Sequence, residues 1–400
     1  MRPVHVIVCA AGVTLATAAA LAGVPGAAAR AALPGAGAGF TAAPAPAPAP
    51  RVFRAESITW ISPRRGWVLG AAPCGAKTCT DVIATTNGGA TWKLRGTVPA
   101  QIPQVGEPGS GVSGIRFGTA RAGWAFGPRL YRTSDGGRSW ARQPVPGHGR
   151  QILALAATAT TTYAIVSPCG FGTGLCRGRG PLSLWRTATR TGQPWTRVHL
   201  TLPINDFANL TAHGTVAYAV DAQRDVNGHR DRLYASTDNG RRFSARPVPC
   251  DRRPGSALWE AAATSATHVT LLCFGPAGPQ PGQATKSAYR SASTGKTWTY
   301  AGATPVPGAT MQTTHLAATP SGNLAITSSS GGSFIYINNS HRRAWSTAVA
   351  LGDGGRGWGD IVYVTNHKGW AIYSPAGFFH GLGKLYLTRD SGRHWHAITP

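Results

Sequence analysis

Four short runs of alternating apolar and polar residues make up one period of this chain, and the period recurs seven times. In the first copy the runs are Ser57–Ile61, Gly66–Gly70, Asp81–Thr85 and Thr91–Leu94. The second copy has Gly114–Phe117, Gly123–Gly127, Leu130–Thr133 and Ser139-Trp140, and the last has Ile361–Val364, Gly369–Tyr373, Lys384–Leu387 and His394-Trp395. Runs rich in β-branched and aromatic residues, bounded by Gly, Pro, Asn and Ser, predict short strands. No stretch from residue 52 onward sustains a helical period.

Each period closes with a Ser/Thr-rich strand end, a turn and an aromatic residue. The clearest copies are Thr85–Trp92, Thr133–Trp140 and Thr388–Trp395; Ser236–Phe243 and Ser291–Trp298 are close variants, and two degenerate copies end at Trp195 and Trp345. The closing aromatics at 92, 140, 195, 243, 298, 345 and 395 are separated by 48, 55, 48, 55, 47 and 50 residues. A repeat of that size predicts an all-β fold, a seven-bladed β-propeller of four-stranded antiparallel blades. One blade cannot bury both of its faces alone, whereas seven stacked around an axis can. The closing aromatic is expected at the outer edge, over its own blade's turn. In the turn, Asn87, Asp135, Asp238 and Asp390 are placed to accept backbone N–H bonds. The glycines that follow permit positive φ.

This turn resembles the Asp-box, or bacterial neuraminidase repeat, of sialidases and related propellers, and the resemblance covers about residues 52 to 400. It implies a structural role for Asn87, Asp135, Asp238 and Asp390 and for Trp92, Trp140, Trp298 and Trp395. The Gly-Trp second strand with its Thr-Ser-Asp-Gly-Gly-x-Ser-Trp turn is also similar to seven-bladed propellers of the photosystem II stability and assembly factor type. That similarity implies an exported scaffold that binds a partner protein and carries no catalysis. Sialidases carry an early Phe/Tyr-Arg-Ile-Pro motif, and here Phe53-Arg54-Ala55-Glu56 lacks the Ile-Pro. Seven copies also depart from the six-bladed sialidase plan.

The amino end reads differently. Arg2 precedes an apolar stretch, Val4–Val24, and small residues follow to Ala31, which predicts a secretory signal peptide over 1–31 cleaved after Ala29 or Ala31. The apolar stretch is near spanning length, so an uncleaved membrane anchor is the alternative. Residues 32–51 form a Pro/Ala-rich linker, an extended spacer, and 52–400 the propeller. Cysteine usage agrees with a secreted, extracellular protein, with association at the cell envelope as a further option. Three local pairs, Cys74 with Cys79, Cys169 with Cys176 and Cys250 with Cys273, are the favoured disulfides, each stapling its own blade's loops. Their spacing does not match common zinc patterns.

With 39 Lys+Arg against 14 Asp+Glu, the formal charge is +25. That attracts anionic partners such as acidic glycan or cell-wall polymer, but no basic stripe with interleaved aromatics points to specific nucleic-acid binding. No phosphate loop, nucleophile elbow or His-rich metal motif is present, so no metal or cofactor is expected. In this strand order the loops joining second to third strands, and blade to blade, share one rim, and the long irregular segments all fall there. Loops on a rigid scaffold are where binding concentrates. The candidate binding residues on that rim are Arg177, Arg179, Arg230, Arg232, Arg252, Trp259, Arg356 and Trp358. Asp206, Glu260 and Asp360 recur at the entry to the innermost strands of three blades. They either face the channel as catalytic candidates or cap loops and pair with arginines. The function expected is a monomeric, secreted, non-catalytic binding propeller for an anionic glycan, cell-wall polymer or partner protein. The alternative is a glycoside hydrolase of the exo-sialidase or xyloglucanase type, which needs two facing carboxylates.

Overall fold

The strands fall where the alternation places them. The computed structural model describes residues 47–103, 110–170, 181–202, 208–222, 231–250, 256–277, 284–305, 314–329, 332–339, 343–354, 356–374 and 382–400. Blade one is β1 Arg54–Ser62, β2 Arg65–Cys74, β3 Lys77–Thr85 and β4 Lys93–Val98; blade two is β5 Gly114–Phe117, β6 Gly123–Phe126, β7 Leu130–Thr133 and β8 Ala141–Gln143. Blade three is β9 Gln151–Ala157, β10 Thr161–Ser167, β11 Leu182–Ala188 and β12 Thr196–Leu202; blade four is β13 Ala208–His213, β14 Val216–Asp221, β15 Arg232–Ser236 and β16 Ser244–Arg246. Blade five is β17 Ala257–Ala263, β18 Val269–Ala277, β19 Ala284–Ser291 and β20 Thr299–Ala303; blade six is β21 Leu316–Ala318, β22 Leu324–Ser329, β23 Ser333–Asn338 and β24 Ser346–Leu351. Blade seven is β25 Trp358–Tyr363, β26 Gly369–Tyr373, β27 Lys384–Thr388 and β28 His396–Ile398. The protein is an all-β, seven-bladed propeller of four-stranded antiparallel sheets. Among the described residues the sole helical element is a 3-10 turn at Pro146–His148, and no helix is long and apolar enough to cross a membrane. The signal segment and most of the linker lie outside the described residues.

Side chains alternate across a strand, and here each blade feeds two cores. From β2, Trp67 and Leu69 enter the core shared with blade two, while Val68 enters the core shared with blade seven. Seven apolar clusters result, one at each junction between neighbouring blades. The closing aromatics follow one rule. Trp92, Trp140, Trp195, Phe243, Trp298, Trp345 and Trp395 each pack into the junction with the preceding blade. Trp140 and Trp395 do lie over their own turns, donating Nε1–H to the carbonyls of Gly137 and Gly392. Trp298 and Trp345 instead donate to Pro247 and Ala301 of the blade before. The expectation of an own-turn contact is therefore too narrow: the aromatic wedges blades together.

The turns are held by short, local bonds. The Thr133 hydroxyl accepts the Gly137 N–H at 2.9 Å, and Asp135 accepts the Arg138 and Ser139 N–H groups at 2.9 and 3.0 Å. Thr85/Asn87, Ser236/Asp238 and Thr388/Asp390 repeat the pattern. Burial works against the Asp135 charge, but the bonds from Ser139, Thr133 and Arg138 outweigh it and hold the carboxyl at about 2. Two of the expected disulfides form. Cys74–Cys79 closes the β2–β3 hairpin, and Cys250–Cys273 ties the connection leaving blade four to β18 of blade five, so it spans a junction. Cys176 lies outside the described residues.

Blades one and seven each consist of consecutive strands, so no strand is exchanged between the ends to close the ring. Closure rests on side chains and one bridge. Ala55 and Gly383 exchange N–H···O bonds of 2.7 Å in both directions. Trp60 stacks on Trp370 at 5.6 Å, and Trp92 meets Trp370 edge-on at 5.5 Å. Gly89, at φ +83°, lies flat against the Trp370 ring, where a Cβ would sit 2.2 Å from it. Outside the ring, Ala47 and Ala49 hydrogen-bond to Leu94 and Trp92, adding a short bridge to the free edge of β4. Trp370→Ala should cost about 3–5 kcal/mol. Chemical denaturation measures this, and a loss below about 1 kcal/mol would show that the three tryptophans do not close the ring.

Candidate functional site

The innermost strands all run the same way, so their first residues gather on the rim that also carries the second-to-third-strand loops. A cavity of about 280 Å³ opens there, at the mouth of the channel. Five consecutive blades supply it: Ser113 precedes β5, Gln151 opens β9, Asn209 lies in β13, Trp259 and Glu260 lie in β17, and His315 precedes β21.

Two of the three sequence-predicted acids are at this level, and both are engaged with the backbone of the next blade. Glu260 Oε2 accepts the Leu316 N–H at 2.9 Å, bridging blades five and six. Asp360 Oδ2 accepts the Ile58 N–H at 3.2 Å and the Ser57 hydroxyl at 3.4 Å, bridging blades seven and one. The same arrangement recurs with neutral side chains. Ser57 and Thr59 accept the N–H groups of Ile115 and Phe117, while Asn209 and Thr211 accept those of Ala261 and Ala263. Residues two apart on a strand point the same way. The inner strands of blades one and four thus present pairs of acceptors to the following blade. Asp206 lies outside the described residues.

Burial dominates the electrostatics. Burial, reinforced by the neighbouring Asp360 charge, pushes Glu56 up to about 8, and its Oε2 has no hydrogen-bond partner among the described residues. Glu260, 18% exposed, is also pushed up to about 8 by burial and the Asp360 charge, against the Leu316 N–H and Arg116, which lower it. The imidazole of His315, 3.8 Å from Glu260, is pushed below its ordinary value by burial. At neutral pH this contact therefore joins a neutral carboxyl to a neutral imidazole and is not an ion pair. Arg116 stands 4.0 Å from Asp360 and donates to Ser57 Oγ, the Ile58 carbonyl and the Ile115 carbonyl.

The binding candidates separate. Trp358 is 1% exposed, wedged between Tyr373 and Tyr386, so its ring is core and is closed to a stacking sugar. Trp259 is half-buried at the mouth, donates Nε1–H to the Thr314 carbonyl and meets Phe274 edge-on. Arg232 opens β15 and Arg356 precedes β25; both are exposed. Arg177, Arg179, Arg230 and Arg252 lie outside the described residues. Sequence reasoning missed Arg129 and Arg142. With Arg150 they line a groove of about 670 Å³ between blades two and three, which meets the channel mouth at Pro128. The available signal was the Gly127-Pro128-Arg129 hairpin loop, which the strand order already assigns to this rim.

No protein-family model and no curated protein matches the chain. Among solved structures it is similar to YCF48 bound to D1 peptide, with 17% identity, a TM-score of 0.46, and coverage of 75% of this chain and 84% of that one. It is similar to YCF48 from Cyanidioschyzon merolae at 15% identity and a TM-score of 0.37, covering 88% and 87% of the two chains. The GH74 enzyme of Niastella koreensis shares 13% identity at a TM-score of 0.31, over 86% and 71%.

Glu56 and Glu260 take up protons more readily folded than unfolded. Their stabilisation is full below the unfolded value of 4.5 and is lost as pH climbs through about 8. The melting temperature should therefore fall between about pH 5 and about pH 9, and the Glu56→Gln/Glu260→Gln variant should flatten that fall. An unchanged slope in a thermal melt series would contradict the assignment.

Proposed function

We propose that this chain is a secreted, non-catalytic binding propeller. Its ligand, an anionic glycan, a cell-wall polymer or an acidic segment of a partner protein, seats on the long-loop rim across the channel mouth and the adjoining arginine groove. The observation that carries this reading is the use of Glu260 and Asp360 as acceptors for backbone N–H groups of neighbouring blades. A hydrolase needs two carboxylates free to reach a glycosidic bond from opposite sides, and both described candidates hold the ring together instead.

The groove offers what a binder needs. Arg129, Arg142 and Arg150 reach it from three separate segments, and among the described residues no acid lines it. Guanidinium groups pair with carboxylate, phosphate or sulfate through two parallel hydrogen bonds. Half-buried Trp259 adds an amphipathic ring at the mouth. The disulfide at Cys74–Cys79 and the N-terminal apolar segment support export.

Arrays of acidic oligosaccharides and acidic peptides, read at low and high salt, should show ligands that survive high salt, as pocket binding predicts. Arg129→Gln/Arg142→Gln/Arg150→Gln should weaken those ligands roughly tenfold or more. Fluorogenic sialosides and β-glucosides should not turn over. Hydrolysis abolished by Glu260→Gln, or array binding indifferent to the triple substitution, would overturn the reading.

A further inference from the structure

We propose that the opposite rim carries a second, independent ligand site: a basic trough across blades one to three that takes a linear anion bearing several phosphate groups. The trough lies among the short turns, which sequence reasoning treated as structural. One lobe, about 550 Å³, is lined by Arg65, Lys93, Arg95, Arg121 and Arg138. A second, about 430 Å³, is lined by Arg121 and Arg190. The lobes share Ala120 and Arg121, so the basic lining continues from one into the other.

Among the described residues Asp135 is the one carboxylate lining either lobe, and it is already committed to its own turn. It accepts two backbone N–H groups and the Ser139 and Thr133 hydroxyls. The guanidinium groups are held in place by turn carbonyls. Arg121 donates to Ser134 O at 3.3 Å, Arg138 to Asp135 O at 3.2 Å, and Arg95 to Gly136 O at 3.5 Å. A guanidinium has five N–H donors, so each of these contacts leaves most of the fork for a ligand. Burial and then the charges of Arg138 and Arg65 depress Arg95, against the single opposing charge of Asp135, as crowded cations do where they outnumber their counter-ion.

A row of fixed guanidinium forks matches tetrahedral oxyanions in series. Among the described residues the trough has no platform for stacking bases: Trp67 in its wall is buried and gives its Nε1–H to Gly136 O. The ligand is therefore a phosphate chain and not a nucleic acid.

The test is titration of the full chain with short inorganic polyphosphate, with orthophosphate and with a single-stranded oligonucleotide of matched charge. Polyphosphate should bind most tightly. Arg121→Gln/Arg138→Gln, both on exposed turns, should weaken it about tenfold or more, with an unchanged melting temperature. The matched control Arg197→Gln/Arg393→Gln, exposed on blades three and seven, removes equal charge and should stay within about twofold. Equal losses in both variants, no loss in the first, no binding by the wild type, or an oligonucleotide bound as tightly as polyphosphate would each overturn the proposal. None of these outcomes depends on the long-loop rim.

Discussion

A four-stranded blade has two apolar faces and no core of its own, so the fold exists only as junctions. Burial is the main force at each, and the seven apolar clusters are seven such junctions. Burial is non-directional, however, and does not set how the inner strands line up around the axis. At four of the seven junctions that register is fixed by side chains of one inner strand that accept backbone N–H groups of the next, as Ser57, Thr59, Asn209, Thr211, Glu260 and Asp360 do. Asp360 performs this task where the first and last blades meet, a junction that also holds the Trp60–Trp92–Trp370 cluster.

This arrangement governs where the acids go, and thereby the character of the surface. There are 14 acidic residues against 39 Lys and Arg. Asp135, Asp238 and Asp390 are consumed by turns, Glu260 and Asp360 by blade junctions, and Asp81 accepts the Thr97 hydroxyl within blade one. With six of the fourteen engaged in this way, eight acids are left against 39 Lys and Arg. Both rims consequently carry basic cavities, the Arg129–Arg142–Arg150 groove on one and the Arg95–Arg121–Arg138 trough on the other. Two residues that look catalytic in a list of acids, Glu260 and Asp360, accept backbone N–H groups across blade junctions.

The fold was legible because its signals are local. The Thr133 hydroxyl reaches Gly137 four residues on, and the Trp140 indole reaches back to Gly137, so one eight-residue stretch specifies a turn and an aromatic wedge. Strand order then assigned each loop to a rim. The site was less legible because its contacts are remote. Asp360 meets Ile58 across 302 positions, and nothing beside either residue announces the other. Trp358 read as a surface aromatic next to Arg356, yet the pleat turns it inward against Tyr373 and Tyr386. The basic trough went unread because its residues come from turns whose shape, not charge, drew attention.

Carboxyl groups on the inner strands of blades five and seven lock the backbones of the blades that follow. Backbone hydrogen exchange at Ile58 and Leu316, in wild type and in Asp360→Ala and Glu260→Ala, measures the strength of that lock. A hydrogen bond to a charged acceptor is worth about 1.5–3 kcal/mol and one to a neutral carboxyl about 0.5–1.5 kcal/mol, so Asp360→Ala should speed exchange at Ile58 roughly tenfold to a hundredfold and Glu260→Ala should speed it at Leu316 roughly twofold to tenfold. The other junctions should keep their protection. Unchanged protection at Ile58 and Leu316 would contradict the claim and return both carboxylates to the list of candidate catalytic groups.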